Sequence, residues 1–263
     1  MEIKNKKIIV TGAGAGIGQE LTWQLISLGA QVIALDINEE GLKITKAKAA
    51  LPDQVIIVPL NITDREAINK LAIDYPEVDI IINNAGIIQP FVNVDKLEMN
   101  TINKVMDVNF YGPLYLIKSY LPKLLNKSEA HIVNVSSMGG FFPFPGQTIY
   151  GASKAALKLF TEGLYAELLN TNVHVTVVMP GAIATNIAAN SGAQMSTEAT
   201  NGKMKMLSAN KAAAIIIKAI LKNKFQVFVG SDSKMMNLMY KLNAKGAIKY
   251  INKMMAKVMP KKQ

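Results

Sequence analysis

The chain has 263 residues, of which 50% are hydrophobic and 18% charged, and it contains no cysteine. This composition excludes disordered and collagen-like chains, and the lack of cysteine excludes disulfide scaffolds, zinc fingers and thiol nucleophiles. The net charge is +10, but residues 201–263 contain 14 lysines and a single acid, Asp232, so the positive charge belongs to the C-terminal quarter. Arg65 is the only arginine. Because arginine is the preferred reader of phosphates and guanine, we expect no nucleic-acid partner.

Two kinds of targeting segment are not found in the sequence. No uninterrupted apolar run reaches the ~18 residues that a membrane-spanning helix needs. No signal-peptide apolar region precedes the first motif. We therefore expect a cytoplasmic protein, which the lack of cysteine permits.

Strands and helices alternate along the chain. In chain order the pattern predicts strand 7–10, helix 17–28, strand 31–35, helix 39–49, strand 54–59, helix 64–74, strand 78–82, helix 99–125, strand 131–135, helix 150–169, strand 173–179, helix 208–221 and strand 225–229. Most strands are unbroken Ile/Val runs, as expected where helices cover both faces of a sheet. The predicted fold is α/β: a Rossmann-type, doubly wound parallel sheet of about seven strands with helices on both faces.

The predicted organisation is one domain, residues 1–230, followed by a basic, methionine-rich helical extension, residues 231–263. Within the domain, segment 181–206 follows a strand end and is rich in Gly, Ala, Ser, Thr and Asn. A connection of this length in a compact domain is a lid or binding loop, or else a plain surface loop.

A glycine-rich loop, TGAGAGIG at positions 11–18, joins the first predicted strand to the first helix. In this position backbone N–H groups and the positive end of the helix dipole face an anion, and glycine lets the backbone approach a pyrophosphate. The glycines are spaced as G-x-x-x-G-x-G, and Ile17 stands where the G-x-G-x-x-G fingerprint has its third glycine. The loop predicts a dinucleotide site formed by Gly12, Ala15, Gly16, Ile17 and Gly18.

Asp36 ends the second predicted strand, 18 residues after Gly18. An acid near this offset accepts hydrogen bonds from a ribose 2′-hydroxyl and repels a 2′-phosphate. No lysine or arginine lies in the glycine loop or at positions 37–38 to hold that phosphate. The sequence therefore predicts NAD(H) as the cofactor; the alternative is that Asp36 only caps the helix that starts near Glu39.

Tyr150 and Lys154 are four residues apart in a predicted helix, which puts both on one face. Free tyrosine has a pKa of about 10, and a nearby cation lowers it by favouring the phenolate. The pair can therefore act as a general acid or base. Taken alone, the spacing also fits an ordinary solvated helix face.

Further polar and glycine residues follow the ends of neighbouring predicted strands, where open α/β sheets bind ligands. They are Ser137, thirteen residues before Tyr150, the run Asn83-Asn84-Ala85-Gly86, and Pro180-Gly181 with Thr185 close behind; Asn109 lies in the long predicted helix. In order and spacing, residues from about 6 to 230 resemble the classical short-chain dehydrogenase/reductase family.

This resemblance implies four catalytic residues. Tyr150 resembles the catalytic acid/base of the family, and Lys154 the residue that lowers its pKa and holds the nicotinamide ribose. Ser137 resembles the residue that polarises the substrate carbonyl or hydroxyl, and its offset from Tyr150 favours it over Ser136. Asn109 resembles the residue that holds a water in a proton relay to Lys154.

The resemblance also implies cofactor contacts. On the adenosine side they are Asn83, Ala85 and Gly86, and around the nicotinamide carboxamide they are Pro180, Gly181, Ile183 and Thr185. One position departs from the family pattern, because Asn61-Ile62 stands where an acid and an apolar residue are usual. The Asn61 side-chain oxygen can still accept a hydrogen bond from the adenine amino group, without a charge.

The two histidines and one aromatic run were also considered as functional residues. No metal-ligand spacing surrounds His131 or His174, so no metal site is predicted. The run 141–145, FFPFP, lies between Ser137 and Tyr150 and is either an apolar wall for a lipophilic substrate or a packed loop.

The extension contains six of the 14 methionines. Helical spacing predicts two apolar faces divided by Gly246, and lysines recur every four residues beside them. The first face holds Met235, Leu238, Met239 and Leu242; the second holds Ile248, Ile251, Met255 and Val258; the lysines are Lys241, Lys245, Lys249, Lys253 and Lys257. Two interpretations remain open: peripheral contact with an anionic membrane, or packing over the cleft or a partner subunit.

The resemblance implies a dehydrogenase of secondary alcohols or reductase of ketones; from Asp36 we expect NAD(H) as its cofactor, and from the run 141–145 a lipophilic small-molecule substrate. It also implies a homodimer or homotetramer built on the long helices near 99–125 and 150–169. Two alternatives stay open: a reductase of 3-oxoacyl chains on a carrier, and an NAD-binding sensor or scaffold without turnover.

Overall fold

The computed structural model describes residues 1–185, 187–191 and 206–255. The strands are β1 (Lys7–Thr11), β2 (Gln31–Asp36), β3 (Val55–Pro59), β4 (Ile80–Asn83), β5 (Ala130–Val135), β6 (Val173–Pro180), β7 (Ile183–Ala184), β8 (Leu207–Ser208) and β9 (Gln226–Val229). The helices are α1 (Gly16–Ser27), α2 (Glu39–Ala47), α3 (Arg65–Asp74), α4 (Met99–Met106), α5 (Gly112–Leu124), α6 (Thr148–Leu168), α7 (Ile187–Asn190), α8 (Ala209–Leu221), α9 (Ser231–Leu242) and α10 (Ala244–Met255).

Seven strands form one parallel sheet in the order β3-β2-β1-β4-β5-β6-β9. The chain winds from β1 to β3 in one direction and from β4 onward in the other. In such a sheet the crevice beyond the carboxyl ends of β1 and β4 is the ligand site. The Rossmann-type, doubly wound α/β fold predicted from the sequence is confirmed.

Helical layers bury both faces of the sheet, which explains the unbroken apolar strands. Along β1, Ile8 and Val10 lie in one core cluster with residues of α1 and α8. Ile9, between them, lies in the other cluster with residues of α5 and α6. Each such fully buried side chain contributes about 1.5–3 kcal/mol relative to an exposed one, so successive residues of one strand hold opposite layers in place.

The predicted helix 99–125 is interrupted in the structure. Residues Asp107–Tyr111 form a π-helical turn between α4 and α5. This turn carries Asn109, which is fully buried. A π-turn widens the helix and redirects a side chain, and such turns are frequent at functional sites.

Segment 181–206 is described only in part, because residues 186 and 192–205 lie outside the described ranges. Strand β7, near the start of this segment, pairs in parallel with β8, which follows the segment's last residue; the sequence pattern did not predict this pair. The first strand of the pair continues directly from the carboxyl end of β6, at the crevice.

The extension forms two helices, but Gly246 does not divide them. Asn243 ends α9, and its side chain accepts a hydrogen bond from the Gly246 N–H at 2.8 Å. Gly246 therefore lies in the first turn of α10. Lys257 and Val258 lie outside the described residues.

Three residues of the predicted first apolar face, Met235, Leu238 and Leu242, are exposed on one side of α9, whereas the fourth, Met239, packs inward. The buried residues of α9 are Ser233 and Met236. Together with Ile251 of α10, this side of the helices packs on the segment that follows β5. Among the described residues, no helix is long and apolar enough to cross a membrane.

Candidate active site

The glycine loop joins β1 to α1 in a conformation suited to glycine. Gly12 and Gly16 have φ of +68° and +56°, in the left-handed region. A Cβ on Gly18 would lie 2.0 Å from the Gly12 carbonyl oxygen, so α1 starts closer to the loop than a larger residue allows. Ala15 caps α1 without a side-chain hydrogen bond, and Ile17 packs against the core. The first N–H groups of α1 therefore keep their capacity to bind an anion, and the loop fits a pyrophosphate.

The Asp36 carboxylate reaches from the end of β2 to the glycine loop. Its Oδ2 accepts a hydrogen bond from the Gly14 N–H, and its Oδ1 accepts one from the Asn38 N–H, both at 2.9 Å. The alternative that Asp36 caps α2 is wrong, because Asn38 is the cap and accepts from the Gly41 N–H. Asp36 thus places a negative charge beside the loop.

The turn after β4 packs directly on the glycine loop. Thr11 Oγ1 accepts hydrogen bonds from the N–H groups of Asn84 at 3.0 Å and Ala85 at 2.9 Å, and the Asn84 side chain donates to the Thr11 carbonyl at 2.9 Å. A Cβ on Gly12 would lie 2.9 Å from the Ala85 Cα. Asn84 was not predicted as a site residue, because it contacts the loop through Thr11, which lies 73 residues earlier in the chain.

Two predicted cofactor residues use their side chains within the protein. Asn83 is buried and donates a 2.8 Å hydrogen bond to Asn134 Oδ1. Asn61 Oδ1 accepts hydrogen bonds from both the N–H and the hydroxyl of Thr63, at 3.1 and 2.9 Å. An adenine amino group at Asn61 therefore competes with Thr63. Ile62, next to it, is buried.

Ser137 and Tyr150 meet beyond the carboxyl end of β5. A Cβ on Gly139 would lie 3.3 Å from Tyr150 Cε1 and 3.4 Å from Ser137 Oγ, so both side chains border one small space. The neighbouring Ser136 is buried, and its hydroxyl donates to the Lys154 carbonyl at 2.7 Å. Ser136 therefore holds α6 against β5, and Ser137 is the serine beside the phenol.

Lys154 and Asn109 approach the same crevice from α6 and from the π-turn. A Cβ on Gly86 would lie 3.1 Å from both Lys154 Nζ and Asn109 Oδ1. The Asn109 side chain exchanges two 2.9 Å hydrogen bonds with the backbone of Ile87. Lys154 Nζ donates to the Val135 carbonyl at 2.9 Å. The ammonium group therefore lies between β5 and the turn after β4.

Burial is the largest cause of the pKa shifts of Tyr150 and Lys154. It lowers the pKa of Lys154 from 10.5 to about 8. It raises the pKa of Tyr150, and the hydrogen bond of the phenol with Ser137 opposes this rise. Desolvation is the largest effect at the phenol, and the Lys154 ammonium group donates to Val135; that Lys154 lowers the pKa of Tyr150 stays a prediction.

Gln89 caps the helix that carries Tyr150, and sequence reasoning did not identify it. Its Oε1 accepts hydrogen bonds from the N–H groups of Ile149 and Tyr150, at 2.8 and 3.0 Å. Its Nε2 donates to the Gly146 carbonyl at 3.0 Å, and the side chain is fully buried. The cap lies 61 residues before Tyr150, so no local capping pattern reveals it.

Asp232 is a second unpredicted positioning residue. Its Oδ2 accepts a hydrogen bond from the Ala182 N–H at 2.6 Å. A Cβ on Gly181 would lie 2.1 Å from Asp232 Oδ1, so only glycine fits there. The first turn of α9 therefore fixes the backbone that follows β6.

The same backbone continues to the glycine loop. A Cβ on Gly16 would lie 3.2 Å from Thr185 Cγ2. Ile183 packs against the core cluster that contains α1. The structure thus brings the segment of Pro180, Gly181, Ile183 and Thr185 alongside the glycine loop; its contact with a nicotinamide carboxamide stays a prediction.

The remaining candidates fit structural roles. His131 Nε2 lies 2.7 Å from Thr176 Oγ1, which itself donates to the Lys224 carbonyl, so His131 is the donor through Nε2. No cluster that could hold a metal ion occurs in the described part of the chain. Phe142 is fully buried against Met236 and its neighbours, so this part of the aromatic run is a packed loop.

The fold and this crevice define a nucleotide-binding oxidoreductase of the Rossmann type. A family model described as short chain dehydrogenase matches residues 6–196. The chain belongs to the short-chain dehydrogenase family.

A curated relative is similar along nearly the whole chain, and solved structures share the fold. SadH of Mycobacterium tuberculosis is 33% identical over 252 residues, which is 91% of each chain. A short-chain dehydrogenase from Burkholderia cenocepacia J2315, solved with NADP, is similar with a TM-score of 0.81 and 24% identity over 95% of this chain and 99% of its own. A short-chain dehydrogenase/reductase from Burkholderia phymatum, solved with NAD, is similar with a TM-score of 0.79 and 25% identity over 92% of this chain and 96% of its own.

Proposed function

We propose that the chain transfers a hydride between NAD(H) and a secondary alcohol or ketone of apolar character. The observation that carries the proposal is the meeting of Ser137 and Tyr150 at one space, with Lys154 at the adjoining turn and the glycine loop at the same crevice. A scaffold without turnover has no need for a phenol and an ammonium group held in this arrangement.

Four side chains have separate roles in positioning the substrate and cofactor and in transferring the proton. The Ser137 hydroxyl holds the substrate oxygen, and the Tyr150 phenol gives that oxygen a proton during reduction and removes it during oxidation. The nicotinamide, when bound, supplies or accepts the hydride. Lys154 holds the ribose and supplies positive charge, and Asn109 holds a water that connects Lys154 to solvent.

The charge of Asp36 supports NAD(H) over NADP(H). Its carboxylate is held at the glycine loop by Gly14 and Asn38, where a ribose 2′-substituent would bind. Ile37 is 77% exposed and provides no cation for a 2′-phosphate. A hydroxyl donates to the carboxylate, whereas a phosphate would be repelled.

An apolar substrate is supported by the residues that follow Ser137. Positions 138–142 contain no charged or amide side chain, and Phe141 is only partly buried. A carrier-bound 3-oxoacyl chain is the second candidate, because the exposed lysines of α9 and α10 suit an acidic carrier.

Homo-oligomer formation is part of the proposal. Met99 of α4 and Leu159 of α6 are 64% and 70% exposed. Large apolar residues on these helices suit burial against a second copy. Light scattering of the purified protein tests this point: a mass of one chain contradicts it.

The central experiment measures NADH oxidation with fatty ketones, sterol ketones and small diketones as substrates, for the natural protein and Tyr150→Phe. We expect turnover with an apolar ketone and a loss of roughly 100- to 10,000-fold in kcat for the variant. NADH binding, followed by fluorescence, should be nearly the same in both. Turnover retained in Tyr150→Phe rejects the proposed acid, and a natural protein that binds NADH but reduces no substrate favours the scaffold.

A further inference from the structure

Helix α9 is fixed in rotation by its first turn. Asp232 binds the Ala182 N–H, and the buried Ser233 hydroxyl donates to the Met179 carbonyl at 2.8 Å. Both contacts lie at the end of β6. With this turn fixed, Met236 is buried and Met239 packs on the segment after β5.

The opposite side of α9 is apolar as well. Met235, Leu238 and Leu242 are 50%, 59% and 78% exposed. They recur at intervals of three and four residues, so they form one stripe along the helix. No other described residue buries this outward stripe, and a soluble monomer rarely leaves neighbouring large apolar side chains uncovered without a use for them.

The two helices of the extension are strongly cationic. Lys234 and Lys241 on α9 and Lys245, Lys249 and Lys253 on α10 are all exposed. The sequence contains no acid after Asp232, which is itself engaged with Ala182. These two helices therefore combine exposed apolar side chains with unneutralised positive charge.

We propose that the outward stripe and these five lysines form a docking surface for an anionic lipid membrane, on which the protein lies without crossing it. A helix with apolar and lysine-rich surfaces binds the membrane interface by inserting the apolar side chains among lipids while the ammonium groups meet anionic headgroups.

A lipid surface fits these residues better than a protein partner. In a symmetric dimer the same patch meets itself, so lysines would face lysines. These lysines also attract an acidic protein such as a carrier, but specific binding of its carboxylates favours arginine, whose planar group forms two hydrogen bonds, and this region has none. Lysine acts as a point charge, which suits a diffuse layer of headgroups.

The inner side of these helices links the docking surface to the crevice. Met236 and Ile251 pack on Phe142, five residues after Ser137. If the substrate is apolar, which rests on the proposed function, the membrane is its reservoir beside the active site. Docking itself does not depend on that function, and its test involves no substrate.

The test is vesicle co-sedimentation of the full chain with phosphatidylcholine alone and with about 30 mol% phosphatidylglycerol added. A stripe variant carries Leu238→Ser and Leu242→Ser, and a charge variant carries Lys241→Gln, Lys245→Gln and Lys249→Gln. We expect binding only to the anionic vesicles, weakened at least about tenfold in each variant and by high salt.

Matched controls use equally exposed residues elsewhere. Leu51→Ser with Ile73→Ser controls for the stripe, since these residues are 53% and 75% exposed. Lys48→Gln, Lys96→Gln and Lys118→Gln control for charge; all three lysines are exposed. Both control proteins should bind like the natural one.

Three outcomes overturn the proposal. One is no binding to anionic vesicles, or equal binding by the natural protein and both variants. The second is a change of mass of the stripe variant in light scattering, which assigns the stripe to a second copy. The third is binding to a purified acidic acyl-carrier protein, lost in the charge variant, without vesicle binding.

Discussion

The Asp232 carboxylate accepts a hydrogen bond from the Ala182 N–H at 2.6 Å, and so joins helix α9 to the backbone beside the crevice. It is the only acid among the last 63 residues. Its place in the first turn of α9 also suits a negative charge, because the helix dipole is positive there. The lone acid of a basic extension thus has a positioning role.

Asp232→Asn should weaken cofactor binding more than it slows turnover. The variant keeps the shape but replaces a charge-assisted hydrogen bond, worth about 1.5–3 kcal/mol, with a neutral one worth about 0.5–1.5 kcal/mol, so the Pro180–Thr185 segment is held less firmly. We expect the KM for NADH to rise about tenfold, with a smaller change in kcat. Asp95→Asn, at an exposed site, is the control. A lower melting temperature with unchanged KM would reduce Asp232 to a purely structural residue.

Lys154→Met should inactivate the protein and yet stabilise it. Lowering the Lys154 pKa from 10.5 to about 8 means that folding disfavours the buried ammonium group by about 3 kcal/mol at neutral pH. Loss of the hydrogen bond to the Val135 carbonyl offsets roughly 1–2 kcal/mol of the stability gained by removing this group. We expect the free energy of unfolding in urea at pH 7 to rise by about 1–2 kcal/mol. This gain should shrink between pH 8 and 10.5, where the native lysine loses its proton; a destabilised variant contradicts the burial cost.

Cofactor preference should reverse when the charge beside the glycine loop is changed. In Asp36→Ser with Ile37→Arg, repulsion of a 2′-phosphate is removed and a cation is added at an exposed position. We expect the ratio of kcat/KM for NADPH over NADH to rise by about 100-fold. Ile37→Gln alone should leave the ratio nearly unchanged. A natural protein that already prefers NADPH disproves the role given to Asp36.

His131 should make the protein less stable in mild acid. Burial lowers its pKa from 6.5 to about 3, so between these values the unfolded chain binds a proton that the native protein does not. Stability contributed by neutral His131 is therefore present above pH 6.5 and decreases as the pH falls. Between pH 7 and 5 the loss is about 2 kcal/mol, measured by urea unfolding. His131→Gln keeps a donor for Thr176, and its free energy of unfolding should fall by about 2 kcal/mol less over the same pH range. An identical fall in both proteins rejects this role of His131.

The sheet was predictable because its strands are buried on both faces and therefore read as short apolar runs. The π-turn at Asp107–Tyr111 was not, since the pattern around it is that of a continuous helix. The break lets Asn109 reach the backbone of Ile87, a partner on another element. Local periodicity contains no information about such a partner.

The site was predictable where its chemistry depends on residue type at a fixed spacing, as for Tyr150 and Lys154. The orientation of α9 was not, because both of its sides are apolar and periodicity cannot choose between them. Asp232 and Ser233 make that choice through hydrogen bonds to the residue pair after β6 and to β6 itself. Asn83 was predicted as a cofactor contact, but its side chain bonds to Asn134 in the interior. The sequence around Asn83 does not indicate this distant partner.

The hydrogen bonds that Gln89 accepts from the start of α6 make the two halves of the chain interdependent. If the polypeptide were split between α5 and β5, the C-terminal fragment would contain Tyr150 without the acceptor for its N–H group. The N-terminal fragment would contain the dinucleotide loop without the phenol. Chemistry would return only on reassembly of the fragments, which makes recovered turnover a direct report of their association.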